Sequence, residues 1–340
     1  MSNHLIISDL TLRDGNHALQ HQLTLDQVSS YCKSIDEVGI DVIEVGHGNG
    51  LGASSLQVGI SKFSDEQLLI TARENLKRSK LGVHVIPGFA TIKKDLSMAV
   101  DLGVDVFRIA CHCSEADLTR RHIEFCRDNG KDVFGVLMMS HMLDAKELAL
   151  QAQKMESYGA EGVIFMDSSG HFLPEDVTEI VHRFKELTTS AIGFHAHNNL
   201  GMSVANSLAA INAGASLIDG CAKGFGAGAG NTPIEVLVAI LKSKGLVGDV
   251  DIDKLLYATD LAREKIINFP SEISSVSVIS GLSGVFSGFL KPVLSISHEL
   301  GINPNAVFRE LGRLKAVAGQ EDLIYEVANN IKNHGKGKHD

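Results

Sequence analysis

The sequence predicts an α/β fold, a (β/α)₈ TIM barrel followed by an all-helical C-terminal domain. Three observations carry this. Eight short apolar runs recur through the first two-thirds of the chain. The stretches between them carry helical spacing. After about residue 248 the alternation stops, and four helical patterns follow with no clear strand between them.

The strand-like runs are 5–12, 41–46, 82–87, 104–110, 132–139, 162–167, 191–196 and 216–221. Helical spacing is clearest over 25–38 and 65–76, and Asp65 and Pro174 stand where helix starts are expected. Several intervening helices end on a similar phrase, with glycine at Gly39, Gly103, Gly159 and Gly214. Glycine there permits the left-handed cap that stops a helix. Eight parallel strands with helices between them favour a closed barrel over an open sheet. The later helices are expected at 252–267, 288–300, 305–314 and 321–330, with a frayed end over 333–338. The expected division is a barrel over 1–248 and a helical domain over 249–340, the latter suited to partner or dimer contacts.

The bulk numbers exclude several classes. A chain of 340 residues, 44% apolar and 21% charged, builds a core without staples. Its net charge of −10 gives no basic footprint for nucleic acid. Five cysteines suggest no small disulfide framework. No secretory leader pattern opens the chain and no long apolar run suits a membrane, so a cytoplasmic protein is expected.

In a barrel, chemistry belongs at the C-terminal ends of the strands. Two polar clusters fall there. Arg13-Asp14-Gly15-Asn16-His17 follows the first run and offers a cation, a carboxylate and an imidazole. His195-Ala196-His197-Asn198-Asn199 ends the seventh. Residues i and i+2 on a strand face one side, so both imidazoles can converge. With a carboxylate they make a divalent-metal set with open positions. Other strand ends carry Glu44 and His47, Arg108 and His112, Ser140 and His141, and Asp167, Ser168 and Ser169. Glu44 and Arg108 could equally form one buried ion pair. Gly224 to Asn231 is a loop whose amides could cradle an anion or simply complete the barrel. Cys111-His112-Cys113 reads as structural thiols more readily than as a second metal site.

These strings resemble the DRE-TIM metallolyase superfamily, and within it the 4-hydroxy-2-oxovalerate aldolase family of aromatic-degradation pathways. Supporting strings are Glu44-Val45-Gly46-His47-Gly48, Met138-Met139-Ser140-His141-Met142, Gly226-Ala227-Gly228-Ala229-Gly230-Asn231 and Gly319-Gln320-Glu321-Asp322. The resemblance implies a class II metal-dependent pyruvate aldolase. It would cleave or form a 4-hydroxy-2-oxo acid such as 4-hydroxy-2-oxovalerate, giving pyruvate and a small aldehyde. Asp14, His195 and His197 match the ligands of a divalent metal, manganese before magnesium or cobalt. Arg13 matches the group that stabilises the pyruvate enolate, His17 the general base, and Ser168 a carboxylate-binding residue. His195 and Phe286 join Arg13 and Ser168 at the substrate. An oligomer is expected, and an acylating aldehyde dehydrogenase is the implied partner.

The chain departs from the family pattern at two positions. Phe286 stands where a tyrosine is usual, and Lys291 where a histidine is usual. A lost hydroxyl bears on which aldehyde, and which stereochemistry, is accepted. Two other readings stay open at this stage. One is a Claisen-type condensation of an acyl-CoA with a 2-oxo acid, as in isopropylmalate or homocitrate synthases. The other is a non-catalytic barrel serving as an assembly subunit.

Overall fold

The computed structural model describes residues 5–336. All eight expected strands form, as β1 (Ile6–Leu12), β2 (Val42–Val45), β3 (Lys80–Val85), β4 (Val106–His112), β5 (Asp132–Met138), β6 (Gly162–Asp167), β7 (Ala191–Ala196) and β8 (Leu217–Gly220). They close in sequence order, and β1 pairs in parallel with both β2 and β8. Among the described residues no free sheet edge remains. The helix starts are set locally. Thr24 and Ser64 each make a reciprocal capping box with the glutamine three residues on. The four helix-ending glycines all take positive φ.

Three cores result. Val42, Val106, Ala110, Phe134, Val136, Ile164, Met166 and Leu217 fill part of the barrel interior. A larger layer lies between strands and helices. A separate cluster, including Val285, Phe289, Val307, Phe308 and Ile324, belongs to the C-terminal helices.

The first helix after residue 248 packs on the barrel. The helix Ile252–Lys265 buries Leu255, Ala258 and Ala262 in the barrel's outer core, not in the C-terminal cluster. Its neighbours are the helices at Leu25–Ile35 and Ile234–Ser243. The second core begins with the helix Ser275–Leu282, which the sequence reading missed. That helix is rich in serine and carries no charged side chain to mark a solvent face. Its start is fixed by Ser274, whose side chain accepts from the Ser277 amide. The last helix, Glu321–Lys336, continues through most of the stretch expected to fray, and the rest of that stretch lies outside the described residues.

Candidate metal centre and active site

The barrel exits bring the two sequence clusters together. Within β1, Asp9 accepts from the amide and hydroxyl of Thr11, and Tyr31 donates to its other oxygen at 2.5 Å. The pairing register of β1 with β2 shifts between Asp9 and Leu12. This local turn carries Arg13 and Asp14 over the mouth. His195 lies within β7 and His197 just beyond it. Their rings are 5.1 Å apart and nearly perpendicular.

Asp14, His195 and His197 are all buried, and each offers a ligand atom within 4.8 Å of the others. His195 Nε2 and His197 Nδ1 have no hydrogen-bond partner, although both are buried. A buried polar atom left unpaired is costly, so two convergent orphans beside a carboxylate call for an occupant. Burial penalises the charge of Asp14, but Arg13 and the surrounding imidazoles hold its carboxyl well below the usual range. Burial holds His197 neutral, with its pKa lowered to about 4. A carboxylate and neutral imidazoles are the forms a divalent cation needs, so the residues present fit one.

The glycine-rich loop after β8 has a use the sequence left open. Its Ala227 amide and the Asn231 side chain both donate to Asp14 Oδ1, at 3.2 and 2.8 Å. The anion it cradles is the protein's own carboxylate. A Cβ at Gly226 would fall 2.6 Å from that oxygen, so glycine is required there. Arg13 Nη1 donates to Asp14 Oδ2 at 2.7 Å. That leaves this second oxygen, 4.0 Å from His195 Nε2, facing the centre.

Beneath the mouth runs a buried charge ring. Arg108 spans Glu44 at 2.8 Å and Asp219 at 2.6 Å, as the Glu44–Arg108 pairing suggested. Asp219 in turn accepts from His195 Nδ1 at 3.0 Å. Asp219 was missed by sequence reasoning, and Asn231 entered it only as the end of the glycine-rich loop. A single acid at the end of an apolar strand is the signal that could have drawn attention to the first.

His17 sits on the short helix Gly15–Ala18, and Gly48 leaves room for its ring. Burial lowers its pKa to about 4 against the attraction of Asp14, so its imidazole is neutral. His21 and His47, stacked 3.6 Å apart, stand behind it. A cavity of about 320 Å³ is lined by His17, Gly226, Phe286 and Lys291. A second, of about 340 Å³, is lined by Ile86, Met138, Met139, Ser168 and Phe286. Ser168 is fully buried, and its Oγ accepts from the Met139 amide at 2.9 Å. Lys291 donates to the Ala18 carbonyl at 2.6 Å, tying the C-terminal helices to the helix that carries His17.

Lys223, past the exit of β8, is paired with Asp260 at 2.8 Å. The Cys111-His112-Cys113 string does not join the metal group: Cys111 and His112 line the second cavity, His112 also meets Ser114 and Met142, and Cys113 donates to the Met139 carbonyl. Among the described residues only Asp14, His195 and His197 form a group able to hold a metal.

Comparison with known proteins shows the family. Residues 4–262 match the HMGL-like family model, and residues 271–333 match a DmpG-like communication domain. A curated protein of Spirochaeta aurantia, named 4-hydroxy-2-oxovalerate aldolase, is 58% identical over 97% of both chains. A protein of the same name from Pectobacterium atrosepticum is 51% identical over 97% of this chain and 96% of its own. Among solved structures, the N-terminal domain of a putative aldolase from Bacteroides vulgatus superposes with a TM-score of 0.74 at 23% identity, covering 87% of this chain and 98% of that one. The carboxyl transferase domain of Rhizobium etli pyruvate carboxylase reaches 0.82 at 16% identity, covering 98% of this chain and 61% of that one. These two structures speak for the fold alone.

Proposed function

The chain belongs to the 4-hydroxy-2-oxovalerate aldolase family, and on that premise we propose that Asp14, His195 and His197 hold the metal of a pyruvate aldolase and that His17 and Arg13 do its proton and charge work. The observation that carries this is the convergence of one carboxylate and two unpartnered imidazole nitrogens at the barrel mouth. A divalent cation bound there supplies Lewis-acid polarisation of the substrate's 2-oxo carbonyl. Oxygen and imidazole donors suit manganese, our preferred ion, and accept magnesium or cobalt.

The chain's own residues supply the rest. His17, neutral beside the anionic Asp14, takes the proton of the C4 hydroxyl. The C3–C4 bond then breaks, its electron pair passes to the pyruvate half, and the C4 half leaves as an aldehyde. Arg13 Nε faces Glu44 Oε1 at 3.3 Å, and Nη2 has no hydrogen-bond partner, so Nη2 remains to donate to the oxygen on which enolate charge develops. Ser168 has its lone pair engaged by the Met139 amide, and its hydroxyl hydrogen remains for the substrate carboxylate. Asp219 orients His195, and Phe286 forms a hydroxyl-free wall where the aldehyde half would lie. The missing hydroxyl bears on which aldehyde, and which stereochemistry at C4, is accepted.

The test is a pyruvate-release assay across 4-hydroxy-2-oxo acids with added manganese. His17→Ala should lower kcat by about 10²–10⁴-fold. Undiminished turnover in that variant would remove His17 as the base. Consumption of acyl-CoA with thiol release would instead support the condensing reaction.

We place the domain division in the segment between Lys265 and Ser275, since the barrel core reaches the first helix and the second core starts at the next. The match of residues 271–333 to a communication domain supports association with an acylating aldehyde dehydrogenase that would receive the aldehyde. Five free, buried cysteines support a reducing compartment such as the cytoplasm. No helix among the described residues is long and apolar enough to cross a membrane.

A further inference from the structure

The turn that carries Phe286 crosses from the C-terminal helices to the barrel mouth, and barrel side chains fasten it at both ends. His141, past the exit of β5, meets the Gly284 carbonyl through Nε2 at 2.9 Å. A carbonyl oxygen only accepts, so Nε2 carries the hydrogen. Nδ1 is then the acceptor, and the Ser169 hydroxyl meets it at 3.2 Å. His171, past the exit of β6, donates from Nδ1 to the Gly281 carbonyl at 2.8 Å. The two rings lie 5.4 Å apart. On the far side, the Ser287 amide donates to the Ser168 carbonyl at 2.9 Å, and Ser287 Oγ meets Asn199 Oδ1 at 3.1 Å.

Only Val285 and Phe286 lie between the Gly284 and Ser287 anchors. Val285 is fully buried in the C-terminal core. Phe286 is left to line both cavities at the barrel mouth. The two cavities thus share Phe286, and a displacement of this turn would change the size of each.

We propose that His141 and His171 are positioning residues, which set the aldehyde subsite by pinning the Gly284 and Gly281 carbonyls and hence the Phe286 ring. The inference rests on the aldolase reading and deepens it. Neither imidazole is among the groups assigned to bind metal, enolate or substrate. Their effect should fall on the aldehyde half of the substrate and spare the pyruvate half.

The experiment compares two reactions of the full-length enzyme. One is cleavage of 4-hydroxy-2-oxo acids of increasing chain length, with kcat and KM measured separately. The other is exchange of pyruvate methyl hydrogens with deuterium, read by mass spectrometry, which needs no aldehyde subsite. In His141→Ala, kcat/KM for cleavage should fall about 10- to 100-fold with an altered chain-length ranking, as for a misplaced substrate wall. Deuterium exchange should stay near the wild-type rate. His141→Gln, which retains a side-chain N–H donor, should recover much of the loss. In a Phe286→Ala background, His141→Ala should have little further effect on the ranking, because the side chain it acts through is gone.

The proposal is overturned if His141→Ala leaves the ranking and kcat/KM unchanged, if it depresses exchange and cleavage alike, or if its effect persists undiminished without Phe286. Wild-type protein that neither cleaves nor exchanges would overturn the aldolase reading itself, and this inference with it.

Discussion

Asp219 decides which nitrogen of His195 faces the centre. Its carboxylate accepts from Nδ1, so the hydrogen sits there and the Nε2 lone pair is left open. Asp219→Asn should weaken manganese affinity by about 10- to 100-fold, read from free manganese in a titration of the apo-protein. Unchanged affinity would mean that β7 alone orients the ring. His141 gives a different handle. Burial, and then the neighbouring His171, lower its pKa to about 4 from an ordinary 6.5. Between those values the unfolded chain takes up a proton that the folded chain refuses, so stability falls as pH drops through the window and is unaffected above it. At pH 5 the cost is about 2 kcal/mol, which His141→Gln should remove. Urea unfolding of metal-free protein at pH 7.5 and pH 5 measures it, and equal acid sensitivity in the two proteins would contradict the burial argument. The sequence made Arg13, Asp14, His195 and His197 legible, because each is a polar group beside or within an apolar strand run. It left the roles of Asp219 and Asn231 illegible. Their work depends on β8 closing against β1 and on the loop folding back over Asp14, which local spacing does not encode.

The strands matter to the site as holders of charge. Arg108 on β4 reaches Glu44 on β2 and Asp219 on β8, so one guanidinium ties three strands beneath the mouth. With its side chain only 2% exposed, it has no water to replace either partner. Arg108→Met would leave two buried carboxylates short of a cation and should cost about 3–5 kcal/mol. The surface pair Lys80–Asp132, more than half exposed on the lysine side, is the control, and Lys80→Met should cost about 1 kcal/mol or less. Urea midpoints of the two variants check the contrast, and a mild Arg108→Met would argue that the ring is dispensable for folding. Element type was legible where periodicity was strong, as in the eight strands and the capped helices at Leu25–Ile35 and Asp65–Asn75. It failed at Ser275–Leu282, where serines at 277 and 280 are buried and no polar face contrasts with an apolar one.

At the scale of the molecule, two cores share one site. The barrel supplies the proposed ligands, and the C-terminal helices supply Phe286 and Lys291, held by His141, His171, Ser287 and the Ala18 carbonyl. The sequence showed where alternation stops but not that Ile252–Lys265 is still barrel. Helical spacing reveals an apolar face without saying which neighbour will cover it. An ion that binds only the folded barrel stabilises it by mass action, by about 2.7 kcal/mol when its free concentration is a hundred times Kd. For a chain of this size that corresponds to a few degrees in the unfolding midpoint. Chelation should therefore lower the calorimetric midpoint by a few degrees, and manganese should restore it. Asp14→Asn should abolish the response, because the remaining His195 and His197 lack the carboxylate that completes the group. If the two cores unfold separately, only the barrel transition should move. If the response is undiminished in Asp14→Asn, the ion binds elsewhere, and the two orphaned imidazole nitrogens at the barrel mouth need another occupant.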